Sequence, residues 1–280
     1  MTKKSRLTKV CISLAFMLLL ILSTALPTFA AAPTVPITLE NGKTVEGILL
    51  DSVTYIPLRR FCDAMGQAQI TWNARTNTAT AVDNARGLQI SATQGEKYII
   101  ANGRYFYAQT GIRNVGGTLY IPIRPLAKAY CLKVTWNNDT RSVTLRSNGQ
   151  KLVSGDNFYD ADEVYWLSRI ISAESAGEPF DGKVAVGNVV LNRVRSSQYP
   201  NTIYGVIFDK RYGTQFSPVS FGTIYRTPSA ESVIAAKICL EGYTLSEDIL
   251  FFMNPRLSTS NWISKNRPFA FTIGNHDFYY

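Results

Sequence analysis

The chain has 280 residues, with 29 Lys and Arg against 20 Asp and Glu and a formal net charge of +9. That length suggests two domains of ordinary size, and the basic residues form no cluster of the kind that nucleic acid needs. A single histidine, His276, disfavours zinc or copper catalysis, because such sites draw on several imidazoles; no metal and no cofactor is expected.

The chain opens with a basic stretch, MTKKSRLTK, followed by an apolar run over 10–26 and then by PTFAAA. A basic start, an apolar middle and small residues at the end are the pattern of a secretory signal peptide, expected over 1–31 with cleavage after Ala30 or Ala32. An uncleaved anchor is the alternative. Cys11 precedes the apolar run, so it is not placed like a lipoprotein cysteine. No later segment is long and apolar enough to span a bilayer, so the mature protein is expected to be secreted or held at the cell wall, with no stable membrane span. Removing the signal takes away Lys3, Lys4, Arg6 and Lys9, and the net charge falls to about +5. A modest positive charge outside the cell suits an anionic polymer such as the wall. Three cysteines remain, Cys62, Cys131 and Cys239. A Cys62–Cys131 disulfide and buried free thiols both fit that odd count.

Residues 37–146 read as β-rich and contain an internal repeat. TYIPLR at 54–59 matches LYIPIR at 119–124. Each copy continues into a short helical pattern (60–65 and 125–130), a strand ending in Trp72 or Trp136, a polar turn, and a closing strand (78–82 and 142–146). Such regularity marks one structural unit used twice. Each copy is expected to bury its Tyr, Ile and Trp against its helix, with Asn and Asp where the backbone bends. Between the copies, 88–107 alternates apolar and polar residues, with turns at Gln94-Gly95-Glu96 and at Asn102-Gly103, and reads as a hairpin. The order YIP[LI]R, helix, strand-Trp, turn, strand resembles the copper amine oxidase N-terminal-like, or stalk, domain of exported Gram-positive proteins, with bounds expected at 35–148. The resemblance implies attachment or spacing at the envelope and no need of copper. Arg59 and Arg124 then either touch an anionic polymer or pair with a nearby acid or carbonyl, the second being expected.

The polar, Gly-containing stretch 148–157 marks a boundary, and a second domain is expected over 160–280. Its first segment, DADEVYWLSRIISAESAGEP at 160–179, reads as one amphipathic helix. Asp160 is the N-cap with Glu163 as its capping-box partner, and Gly177 and Pro179 are the stop. At ~100° per residue, Val164, Leu167, Ile170 and Ile171 share one face, and Glu174 falls on that face. Partial desolvation there raises a carboxyl pKa and keeps its proton near neutral pH. Breaking a glycosidic bond requires such an acid. The structural alternative is a pairing with a buried arginine such as Arg193. Residues 183–196 are apolar almost all round and predict a buried central helix. Residues 202–208 form a short amphipathic turn, and Thr227 with Pro228 opens a helix running to about Leu240, stopped by Gly242. Residues 250–252 and 271–280 look extended.

Four pieces of this domain form a set: AESAGEP (173–179), GNVVLNRV (187–194), QFSPV (215–219) and IGNHDFY (273–279). With FFMNP at 251–255 they resemble the SleB/CwlJ family of cell wall hydrolases, the spore cortex-lytic enzymes, over about 164–280. The resemblance implies a compact, mainly helical, lysozyme-like catalytic domain. The expected fold class is therefore two domains, a β-rich α+β repeat domain followed by a mainly α domain. It also implies cleavage of peptidoglycan between N-acetylmuramic acid and N-acetylglucosamine, generally as a lytic transglycosylase, with Glu174 as the acid and then the base. Candidate substrate contacts are Glu178, Gln215, Phe216, Ser217, Asn254, Asn275 and His276. Glu178 as a turn cap, Phe216 as core and His276 as a structural residue are the alternatives. Two departures stand out: Ser175 and Ala176 occupy positions where the family often has Ala-Arg, and Asp277 one where an apolar residue is common. The expected partner is peptidoglycan of spore cortex or vegetative wall, with other anionic wall polymers second and nucleic acid excluded. Two rival functions are an N-acetylmuramoyl-L-alanine amidase, which usually needs zinc ligands, and a non-catalytic wall-binding protein.

Overall fold

Period-two alternation of apolar residues builds the first half of the chain as strands. They are β1 (Thr34–Thr38), β2 (Thr44–Leu50), β3 (Val53–Pro57), β4 (Gln69–Asn73), β5 (Thr78–Asp83), β6 (Leu88–Thr93), β7 (Tyr98–Ala101), β8 (Arg104–Tyr107), β9 (Arg113–Val115), β10 (Thr118–Pro122), β11 (Leu132–Asn137) and β12 (Ser142–Ser147). The computed structural model describes residues 32–66, 68–211, 213 and 215–280, so the export segment expected over 1–31 lies outside the described residues. One sheet has seven strands in the order β11-β12-β1-β2-β3-β10-β9, and a second has five, β4 to β8 in sequence. The 88–107 stretch, read as a hairpin, supplies three strands of that meander, and Asn102 and Gly103, both with positive φ, make its last tight turn.

The repeat folds about a local two-fold. Strands β3 and β10 pair antiparallel with Tyr55 opposite Pro122, Ile56 opposite Ile121 and Pro57 opposite Tyr120. Each strand runs into a short helix, α1 (Leu58–Met65) or α2 (Ile123–Ala129). In α1 the residues Leu58, Phe61, Cys62 and Met65 are buried, an i, i+3, i+4, i+7 stripe that leaves Arg59 and Arg60 facing out. In α2, Arg124 and Lys128 are likewise exposed. Arg59 and Arg124 therefore do not pair as expected; among the described residues neither belongs to an ion pair.

One further expectation fails here, and one open alternative is decided. Trp72 and Trp136 are not core residues but are 45% and 41% exposed. Each lies near the end of a strand at the edge of its sheet. The Cys62–Cys131 disulfide left open by the sequence is not formed: Cys62 is buried with Sγ 3.7 Å from the Tyr130 hydroxyl, and Cys131 is a half-buried free thiol. Burial pushes the Cys62 thiol up to about 11, so it packs as a small apolar group.

The second half is helical with a small sheet. Its elements are α3 (Gly155–Phe158), α4 (Ala161–Ser175), α5 (Phe180–Arg195), α6 (Ile203–Ile207), α7 (Ser217–Ser220), α8 (Ala230–Leu240), β13 (Phe251–Met253), α9 (Trp262–Asn266), β14 (Phe269–Ile273) and β15 (His276–Tyr279). Asp160 caps α4, accepting from the amides of Asp162 and Glu163. The cap of α8 is Ser229, which accepts from Ser232, not Thr227, and Pro228 stays ahead of the helix. Helices α4, α5 and α8 pack on one another around Leu167, Ile170, Ile171, Val186, Val190 and Ala236, all fully buried. Gly187 is required where they meet: a Cβ there would lie 2.7 Å from Cys239 Sγ and 2.9 Å from Ile171 Cδ1. The strands pair in the order β13-β15-β14. No helix among the described residues is long and apolar enough to cross a membrane.

Polar bonds tie the two halves together. Arg104 on β8 grips Glu241 after α8 with two bonds, Nε–Oε1 at 2.8 Å and Nη2–Oε2 at 2.6 Å, and Tyr159 donates to the same carboxylate at 2.8 Å. Lys97 pairs with Asp181 at 2.8 Å, and Tyr107 donates to that same carboxylate.

Candidate active site

Glu174 sits on the last turn of α4, one turn beyond the buried Ile170 and Ile171. Its side chain is half-buried. Burial pushes its carboxyl up to about 7, against the pull of the positive charge on Arg193. A carboxyl in that range is a mixture of acid and base near neutral pH, which a proton-transfer catalyst needs. The structural pairing with Arg193 is not made: the two form no ion pair, and Arg193 Nε is spent on the Leu250 carbonyl at 2.8 Å. The Arg193 guanidinium is buried among the rings of Tyr199, Phe216 and Phe251, 5.1 to 5.5 Å away, with Nη1 unpartnered. It is a fixed positive charge behind the acid.

Glu178 lies just past α4 and is buried. Its Oε2 accepts the backbone N–H of Asn275 at 2.8 Å, and its Oε1 accepts Asn275 Nδ2 at 3.2 Å. The β14–β15 turn is thereby pinned to the segment joining α4 and α5. Gly274, at φ +60°, cannot be replaced in this turn without a clash, since a Cβ would fall 2.1 Å from Glu178 Oε2. His276 follows, 6% exposed, edge-on to Phe252 at 5.2 Å and with Nδ1 unpartnered. Burial holds its imidazole below the usual value, against Glu178 and Asp277. Among the described residues no group of three or more His, Cys, Asp and Glu is placed to hold a metal ion.

Residues 177–279 match the family model described as Cell Wall Hydrolase, and residues 39–145 match the Copper amine oxidase N-terminal domain. The first match begins at Gly177, immediately past the helix that carries Glu174. Part of this chain is 38% identical over 122 residues to a spore cortex-lytic enzyme of Bacillus cereus, covering 44% of this chain and 46% of the relative. It is 35% identical over 120 residues to the spore cortex-lytic enzyme of Bacillus subtilis, covering 43% of this chain and 38% of that one. This chain thus spans less than half the length of those relatives. It is similar to the solved catalytic domain of the germination-specific lytic transglycosylase SleB from Bacillus anthracis, at 38% identity, covering 44% of this chain and 98% of that one, with a TM-score of 0.40. Residues 177–279 are a cell wall hydrolase domain.

Within the hydrolase domain the remaining sequence candidates scatter in role. Phe216, 2% exposed, packs on Phe252 and Arg193 and offers no face to a ligand. The expected substrate contact is corrected to a core residue. His276 and Glu178 are also buried, and Glu178 spends its oxygens on the 274–275 turn. Asn254 Oδ1 accepts the amide of Arg256 at 3.0 Å and shapes its own turn. Gln215 donates to the Gly213 carbonyl at 3.3 Å and is half-buried, while Ser217 and Asn275 are exposed.

Three buried polar residues of the hydrolase domain escaped the sequence reading, because an almost wholly apolar α5 masks them. Asn188 donates to the Tyr243 carbonyl and accepts from Leu245 N–H, and Asn192 donates to the Ser246 and Ile249 carbonyls, at 2.8 to 3.0 Å. With Arg193 they make one stripe that holds the 243–250 loop and so sets β13. Lys183 donates to the Glu178 carbonyl and pairs with Glu231 at 3.3 Å, steadying the segment past the C-terminus of α4. The i, i+4 spacing of two asparagines in an apolar helix was the available signal.

Proposed function

We propose that this chain is an exported peptidoglycan-cleaving enzyme, a lytic transglycosylase acting between N-acetylmuramic acid and N-acetylglucosamine, with a lysozyme-like catalytic domain. The observation that carries this reading is a single half-buried carboxyl, Glu174, lifted to about 7 beside a buried and unpaired arginine. Similarity to a domain named as a lytic transglycosylase supports the reaction type.

In this mechanism protonated Glu174 gives its proton to the glycosidic oxygen as the bond to muramic acid C1 breaks. The leaving N-acetylglucosamine departs as an alcohol. The muramic acid C6 hydroxyl then attacks C1 while the Glu174 carboxylate takes the hydroxyl proton, leaving a 1,6-anhydro end and the acid restored. The substrate supplies the nucleophile, so one carboxylate suffices. Arg193 keeps the pKa of Glu174 from rising further, so the carboxylate is accessible for the second step.

Digestion of purified spore cortex and vegetative sacculi, with mass spectrometry of the products, tests this. Anhydro-muramic ends are expected, and Glu174→Gln is expected to abolish them. Reducing muramic ends would mean a muramidase, freed stem peptides an amidase, and products unchanged in Glu174→Gln would remove the residue from the mechanism.

A further inference from the structure

The local two-fold of the N-terminal half makes two equivalent clefts. One, of about 360 Å³, is lined by Arg59, Arg60, Trp72, Asn114 and Thr118. The other, of about 510 Å³, is lined by Ser52, Thr54, Arg124, Lys128 and Trp136. The correspondence follows from strand pairing. Because β3 and β10 run antiparallel about Ile56 and Ile121, the residues leading into one copy form the wall opposite the helix start of the other. Trp72 faces Ala79 across β4 and β5 just as Trp136 faces Val143 across β11 and β12.

Each cleft combines three features. It has a tryptophan more than 40% exposed, so a large apolar ring is left to water twice over. It has two exposed cations, Arg59 and Arg60 or Arg124 and Lys128, that belong to no ion pair among the described residues. It also has neutral hydrogen-bonding side chains at the rim. The volumes lie in the ordinary range for small-ligand sites, ~300–1,000 Å³.

We infer that the two clefts are glycan-binding subsites that hold carboxylate-bearing cell wall glycan, separately from Glu174. The inference rests on the reading that this chain works on peptidoglycan. An exposed indole offers a flat apolar surface to the C–H face of a pyranose ring, and the rim amides and hydroxyls match its hydroxyl and N-acetyl groups. The guanidinium at each cleft meets the stem-peptide carboxylates that recur along the polymer. Two sites on one domain engage one strand or neighbouring strands together, and the second contact costs less than the first. The larger cleft also includes Glu241 and Tyr243 at the junction with the hydrolase half, so polymer held there lies against the domain that cuts it.

The test uses the full chain carrying Glu174→Gln, so that polymer stays whole, pelleted with purified sacculi over a concentration series. Trp72→Ala and Trp136→Ala are each expected to raise the apparent Kd about three- to ten-fold, and the double variant about 10- to 100-fold. Since both rings are exposed, the melting temperatures should hold. Arg59→Glu with Arg124→Glu gives a second, independent loss and a weaker salt dependence. In a Glu174-intact background, the tryptophan pair should slow cutting of whole sacculi and leave cutting of short soluble glycans unchanged. Folded double variants that bind sacculi like the parent would overturn the inference. So would variants that instead lose self-association in sedimentation velocity or binding to single-stranded nucleic acid. A parent that cuts no glycan yet binds sacculi through Trp72 and Trp136 would sink the proposed reaction and leave these subsites standing.

Discussion

Glu178 holds Asn275 by both its oxygens, taking the backbone N–H at 2.8 Å and the side-chain amide at 3.2 Å. The two residues are 97 positions apart, and this grip places His276 and β15 against the segment that follows the Glu174 helix. Glu178→Ala removes both bonds and leaves the part-buried Asn275 N–H to solvent, a loss of about 0.5–1.5 kcal/mol. The expected outcome is a lower melting temperature and a lower kcat on glycan. Glu178→Gln keeps one acceptor for the N–H and should retain most of both. Equal damage from Ala and Gln would mean that the charge acts on the substrate, not on the turn.

The activity should fall as pH rises through about 7. The acid form of Glu174 starts the reaction, and its carboxyl is raised from 4.5 to about 7 by burial. The pH profile of kcat/KM should therefore carry a descending limb near 7. The same shift has a stability consequence. Between 4.5 and about 7 the folded protein holds a proton that the unfolded chain has lost, so the contribution of this group is full below 4.5 and gone above about 7. Thermal melts of Glu174→Gln against the parent should show the variant gaining relative stability from pH 5 to pH 8. A constant difference would contradict a raised carboxyl.

Arg193 sets where that limb falls. Its charge pulls the Glu174 pKa down, so Arg193→Gln should move the descending limb to higher pH, while Arg193→Lys should leave it nearer the parent position. Both lose the Nε–H that donates to the Leu250 carbonyl, so both should melt earlier. The limb position separates electrostatics from packing.

The Arg104–Glu241 bond should reveal itself by non-additivity. Both groups are largely buried, with side-chain exposures of 14% and 4%. Removing one partner strands the other charge, at a cost of about 3–5 kcal/mol for a fully buried pair. Arg104→Met and Glu241→Met should each lower the melting temperature more than the double variant does. A double variant whose loss equals the sum of the two single losses would mean that the pair has no coupling energy of its own.

Asn192→Ala leaves the Ser246 and Ile249 carbonyls without their donor. The loop 243–250 should then exchange its amide hydrogens faster than the rest of the domain, with a stability loss of about 1–3 kcal/mol. Exchange that rises evenly through α4, α5 and α8 would place the effect in the helical core instead.

The residues alone determined whatever is settled within a few positions along the chain. The cap at Asp160 and the place of Glu174 one turn past Ile170 follow from spacing, because their bonds and faces span four residues or fewer, and the repeat follows from the match of 54–59 to 119–124. Tertiary structure decided the rest. Whether Trp72 and Trp136 meet a helix or water depends on which strands end up at sheet edges, and period-two alternation is the same for an edge strand as for a central one. Phe216 reads equally well as a sugar platform or as core until Phe252 and Arg193 close over it. The partners of Glu178 and Glu241 lie 97 and 137 residues away, and a carboxylate carries no mark of which distant donor it will meet once packing brings the two together.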